Sequence, residues 1–108
     1  MWVRLDDAGE FFKQENKIQV LLTRKAAKEV IQRAGSEGLA ILRYEGGKYQ
    51  DGKFIASLSA IWDRLRSHTG REFLEIGNLR ALKALEEEPQ EYDAFIISVA
   101  SAESVGPA

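Results

Sequence analysis

The stretch Asp93-Ala-Phe-Ile-Ile-Ser-Val99 constrains the fold more than any other. β-branched and aromatic side chains run through it almost without polar alternation, the pattern of a strand covered on both faces. Such a strand belongs at the centre of a sheet with further layers packed against it. A chain of 108 residues has room for one core of that kind, and 44% hydrophobic against 30% charged residues is the balance of one ordinary globular domain.

The remaining elements are read around it. Ile18-Gln-Val-Leu-Leu22 has strand character and stops at Thr23, whose hydroxyl can cap a following helix. Ala27, Val30, Ile31 and Ala34 then recur at helical spacing, and Gly35 closes the run. Gly38 opens a second strand, Leu39 to Tyr44. Gly46-Gly47 is read as a tight turn and Lys48-Tyr49-Gln50 as its return. Phe54, Leu58, Ile61 and Leu65, flanked by Ile55 and Trp62, form a stripe that predicts an amphipathic helix from Phe54 through Arg66. Arg71 to Ile76 is expected to be a strand, because Gly77-Asn78 interrupts a helical run and starts the next one, in which Leu79, Leu82 and Leu85 share a face before Pro89. The order β-α-β-β-α-β-α-β predicts an α/β protein, a single layered domain with helices packed on a small, mixed, mainly parallel sheet. Residues 1–17 are expected to form an N-terminal extension packed on the domain, 18–99 the domain itself and 100–108 a flexible tail.

Composition closes several chemistries. Without cysteine there are no disulfides, no thiolate nucleophile and no cysteine-ligated metal, and with His68 as the one histidine there is no imidazole cluster. His68 lies beside Ser67 and Thr69, but a place in the last turn of a helix explains it better than catalysis does, and no catalytic residue is expected. No cofactor and no metal are expected. Apolar runs are far too short to cross a bilayer, and Met1-Trp-Val-Arg4 leads at once into Asp6 and Asp7 with no secretory signal, so a cytoplasmic protein is expected. A net charge of -2 disfavours nucleic acid, and Glu29 interrupts the basic helix face of Arg24, Lys25, Lys28 and Arg33. Residues 54–99 carry five bases and eight acids, whereas 1–53 carry ten and eight. Together with Glu86-Glu87-Glu88, Glu91 and Asp93, that asymmetry favours a basic protein partner.

Two segments bear on function. Gly47-Lys-Tyr-Gln-Asp-Gly52-Lys53 has the glycine and lysine spacing of a phosphate-cradling loop, but Phe54 stands where a hydroxyl should hold magnesium. A nucleotide- or phosphate-binding domain built on 46–53, with Asp51 and Lys53 as polar participants, is therefore the alternative function, beside a homo-oligomeric module paired through sheet edges. The other segment surrounds Trp62 and Asp63. On the expected helix Ser59 and Asp63 share a face with Trp62 at its edge, which reads either as the aromatic and acidic combination of a docking surface or, the favoured alternative, as a core tryptophan beside an exposed aspartate.

Leu58-Ser-Ala-Ile-Trp62-Asp63-Arg-Leu65 resembles the leucine–x–alanine–leucine–tryptophan–aspartate–x–leucine helix of barstar-like ribonuclease inhibitors. Phe73-Leu-Glu-Ile76 and Asp93 to Ser98 are similar to the strands that follow it. The resemblance covers residues 54–99 and implies a parallel-sheet inhibitor that plugs a ribonuclease cleft with an acidic helix and the loop before it. Asp63 would be the binding acid and Trp62 its neighbouring contact. The family's earlier acid falls at Ser59, and Tyr49 lies near its aromatic–glycine turn. The expected partner-binding set is Trp62, Asp63, Ser59, Arg66 and Tyr49. The expected function is a small non-catalytic binding protein of inhibitor or immunity type acting on a basic partner such as a ribonuclease.

Overall fold

A computed structural model of the chain describes residues 2–14, 20–64 and 71–101, with the backbone alone over 71–73. Its elements are β1 (Val3–Leu5), α1 (Ala8–Lys13), β2 (Val20–Leu22), α2 (Arg24–Ala34), β3 (Leu39–Gln50), β4 (Lys53–Asp63), α3 (Arg71–Glu87) and β5 (Ala94–Ser101). The strands form one sheet in the order β1-β2-β5-β3-β4, with β5 central as expected, but the expected burial of both its faces is corrected: Phe95 and Ile97 pack into the core, whereas Ile96 is only partly buried and Ser98 is exposed on the other face. β1 pairs with β2 in parallel, but β2–β5, β5–β3 and β3–β4 are all antiparallel. The single α/β domain stands, and the mainly parallel sheet is corrected to a mostly antiparallel one.

Local chemistry sets α2. The Thr23 hydroxyl accepts from the Ala26 amide at 3.2 Å, satisfying an otherwise free donor of the first turn, and it donates to Asp6 Oδ1 at 2.6 Å. The helix buries Ala26, Ala27, Val30, Ile31 and Ala34. These pack with Phe11, Val20, Leu22, Ile41, Tyr44, Leu85, Phe95 and Ile97 in one core between the helices and one face of the sheet. The left-handed residue after α2 is Gly38 (φ 72°), while Gly35 stays helical.

The expected helix over 54–66 is replaced by β4, and the turn lies at Asp51–Gly52 rather than Gly46-Gly47. Asp51 and Gly52 have φ of 52° and 76°, the left-handed pair that a two-residue hairpin turn needs, and such a turn forces its two arms to run antiparallel. The helical stripe is produced by a large bulge. Between the pairs Glu45–Ile61 and Gly47–Ala56, one residue of β3 opposes four of β4, and the extra residues shift apolar positions to a spacing of three and four. Gly46 and Gly47 serve close approach instead: a Cβ on Gly46 would lie 2.7 Å from the Phe95 ring, and one on Gly47 would overlap the Ile55 carbonyl. The residues of the candidate phosphate loop are paired, Gly47 with Ala56 through Gln50 with Lys53, and lead into a strand rather than a helix. The barstar-like placement loses its helix as well, since Leu58 to Asp63 lie in β4. Leu65 falls outside the described residues.

Arg71 to Ile76 is also corrected, from strand to the first turns of α3, which runs through Gly77-Asn78 without a break. A packing need explains both residues. A Cβ on Gly77 would overlap the Arg64 guanidinium, so glycine leaves the slot that this side chain occupies. Asn78 is only 7% exposed. Its Oδ1 accepts from the Ile41 amide at 2.9 Å and from Arg64 Nη2 at 2.6 Å, and its Nδ2 donates to the Leu39 carbonyl at 3.2 Å. Arg64 Nε donates to the Ile41 carbonyl at 2.8 Å. These bonds hold β3 where its register against β5 shifts between Ile41 and Arg43.

Alanine exceeds glycine in helix propensity by about 1 kcal/mol, yet Gly77→Ala is expected to destabilise the protein by about 1–3 kcal/mol through overpacking. The urea midpoint measures it, and a raised midpoint would show that the Arg64 slot is not filled in solution.

Candidate functional site

Because β4 is a strand, Trp62 and Asp63 project to opposite faces of the sheet. Trp62 is half-buried on the helix side, stacked on Tyr44 with centroids 6.3 Å apart and planes 18° from parallel, and packed against the core. Tyr44 is buried, and its hydroxyl donates to Glu88 at 2.8 Å. Burial first, and that hydrogen bond second, push the Tyr44 phenol well above its ordinary value.

Asp63 lies on the face that carries no helix, with its side chain 58% exposed. Both of its oxygens accept from Arg43 Nη1, at 2.9 and 2.8 Å. The same guanidinium donates from Nε and Nη2 to Glu45 Oε1, at 3.2 and 2.9 Å. Glu45, then Asp63, raise the Arg43 pKa. Two carboxylates thus share one cation and leave the group one negative charge in excess. Cross-strand pairing places Ser98 beside Arg43, and Ile96 and Ile61 on either side of Glu45.

Ser59 sits on the β4 bulge, its hydroxyl 3.3 Å from the Tyr92 hydroxyl. Tyr49 lies towards the hairpin tip, where its amide donates to Asp93 Oδ1 at 3.1 Å and its ring lies under Arg4, 5.7 Å from the guanidinium carbon. Trp2 meets Phe54 edge-on at 5.6 Å, so the hairpin tip curls back towards β1, the far edge of the sheet. Of the expected set, Asp63 and Ser59 are exposed on β4, Trp62 turns to the core, and Tyr49 stands apart at the tip. Arg66 and His68 fall outside the described residues.

The acidic run is engaged internally: Glu86 with Lys28 at 3.3 Å, Glu88 with Tyr44, and Glu91 with Lys48 at 3.1 Å. Arg24 of the basic set turns inward, donating to the carbonyls of Leu85, Pro89 and Tyr92 at the end of α3. Among the described residues no group of three or more His, Cys, Asp or Glu side chains could hold a metal ion, and no helix is long and apolar enough to cross a membrane. Sequence reasoning missed Arg43, whose role depends on β3 register, and Tyr92, whose partners are set by the bulge.

No family model matches the chain. The immunity protein CdiI of Burkholderia pseudomallei is 34% identical to it over 95 residues, which span 88% of this chain and 87% of that protein.

The different settings of Trp62 and Asp63 give different expected costs. Trp62→Ala should lose about 2–4 kcal/mol of stability, and Asp63→Asn less than about 1 kcal/mol because its ion pair is solvated. Denaturant titration of the two variants checks both. Tyr44 makes stability pH-dependent. Its proton is held more tightly in the folded chain, so its contribution is complete below the unfolded value of about 10 and is lost as pH rises beyond it. Between about pH 9.5 and 11.5 the wild type should lose more stability than Tyr44→Phe, and equal losses in urea titrations would contradict this.

Proposed function

The chain belongs to the family of the immunity protein CdiI, and on that premise we propose that it is a non-catalytic inhibitor that captures and neutralises a cognate toxin in the cytoplasm. The partner is a basic protein, a ribonuclease being the type that fits best. One observation carries this reading beyond the family: the Asp63–Arg43–Glu45 group on the helix-free face of the sheet, which leaves a negative charge unbalanced and the Asp63 carboxylate open to solvent. An exposed carboxylate of this kind steers a basic partner and fixes its orientation more than it supplies affinity. Asp63 and Ser59 make direct contacts in this reading, and Trp62 holds the strand beneath them.

Calorimetric titration of the purified chain into its cognate toxin, with toxin activity followed in parallel, tests the proposal. Saturable capture with loss of toxin activity is expected, and affinity should fall as salt is raised from about 0.05 to 0.3 M. Asp63→Lys should weaken binding by about tenfold or more, chiefly through the association rate. A toxin that stays fully active in the presence of excess chain would overturn the assignment.

A further inference from the structure

The sheet ends on β4, and the register break leaves Ser57 to Ala60 outside the ladder with β3. Within this segment Leu58 is 91% exposed, more than any other large apolar residue described. The serines on either side of it are tied to one point. Ser57 Oγ donates to the Tyr92 hydroxyl at 3.0 Å, Ser59 Oγ lies 3.3 Å from that hydroxyl, and the two serine oxygens are 2.9 Å apart. Tyr92 is itself packed against the core. The bulge is therefore braced at both shoulders by a ring anchored in the body of the protein, and it holds out a leucine that contributes nothing to the fold. A backbone segment already held in place loses little further entropy on binding, and burying the exposed leucine in a partner gains its transfer free energy.

We propose that Leu58 is the apolar anchor through which this protein docks its toxin. It enters an apolar socket on a basic face of the toxin, while Asp63, further along the same edge strand, and Glu45, one strand inward on β3, set the orientation. This rests on the toxin-binding reading above.

A second copy of the chain is the competing occupant, because β4 is nearly symmetric about Leu58. Antiparallel self-pairing would set Ile55 against Ile61, Phe54 against Trp62 and Lys53 against Asp63. The bulge defeats that pairing. Phe54 lies opposite Tyr49 and meets Trp2, whereas Trp62 lies opposite Tyr44 and stacks on it in the helix-side core, so the two aromatics face opposite sides of the sheet. A two-fold strand pair needs its mates on one side, and the negative excess at Asp63 and Glu45 is complemented by a basic partner rather than by an identical surface.

The test uses the full chain and its cognate toxin, with Leu58→Asp, Leu58→Ala and Tyr92→Phe. Leu58→Asp should keep the urea midpoint of the wild type and lose about a hundredfold or more in affinity, and Leu58→Ala about tenfold. Tyr92→Phe should stay folded, bind several-fold more weakly and show faster amide exchange across 57–60. If the wild type captures toxin and Leu58→Asp captures it equally well, the anchor is wrong and the immunity reading stands. If the wild type fails to capture toxin, that reading falls and the anchor with it. A dimer in sedimentation that Leu58→Asp abolishes, with toxin affinity unchanged, would assign the bulge to self-association and overturn the proposal.

Discussion

The amide of Asn78 bonds to the backbone of β3 on both sides of Ala40, and the arrangement of the sheet follows from that contact. A buried amide group is costly unless its donors and acceptor are used, and here Ile41, Leu39 and Arg64 use them. Glycine at the preceding position admits the guanidinium that completes the network, and burial lowers the pKa of Arg64. The bonds fix β3 where an extra residue enters it. That extra residue decides which side chains turn to the core and which turn away: Tyr44 goes under the helices, and Arg43 and Glu45 come out beside Asp63. The surface proposed for toxin binding is thus set by a residue on the other side of the sheet.

Charge is distributed to the same end. Arg24 spends its donors on carbonyls around the end of α3, where a cation also meets the negative end of the helix dipole, and its guanidinium carbon lies 5.3 Å from the centre of the Phe95 ring. Lys28 and Lys48 neutralise two of the glutamates nearby. With much of the acidic run spent on joining α3 and its following loop to the rest of the domain, the excess carboxylate beside Arg43 is left facing solvent on the helix-free side.

Where local chemistry decides structure, the sequence was legible. Thr23 and the apolar spacing after it define α2 from Arg24 to Ala34, and the run after Asp93 is the central strand. Elsewhere the same residue types answer to different needs. Gly46 and Gly47 are small because Phe95 and β4 come close, not because the chain turns there, and Gly77 inside a helix looks like a break because the side chain that fills its space is remote in sequence. The β4 bulge inserts residues into a strand and so counterfeits a helical period. Trp62 and Asp63 were visible as candidates, but strand alternation, which sends them to opposite faces, is decided only once β4 pairs with β3.

The position of β5 bears on how the protein comes into being. Its pairing with β2 joins Leu22 to Phe95, and its pairing with β3 joins Gly47 to Ala94. The strand at the middle of the sheet is therefore the last of the five to be synthesised, and β2 cannot hydrogen-bond to the β3–β4 hairpin until it arrives. Closing such distant pairs is slow compared with forming the helices and the hairpin. The helices and the β3–β4 hairpin can therefore form before the centre of the sheet is filled, and the joining of its two halves waits on the insertion of β5.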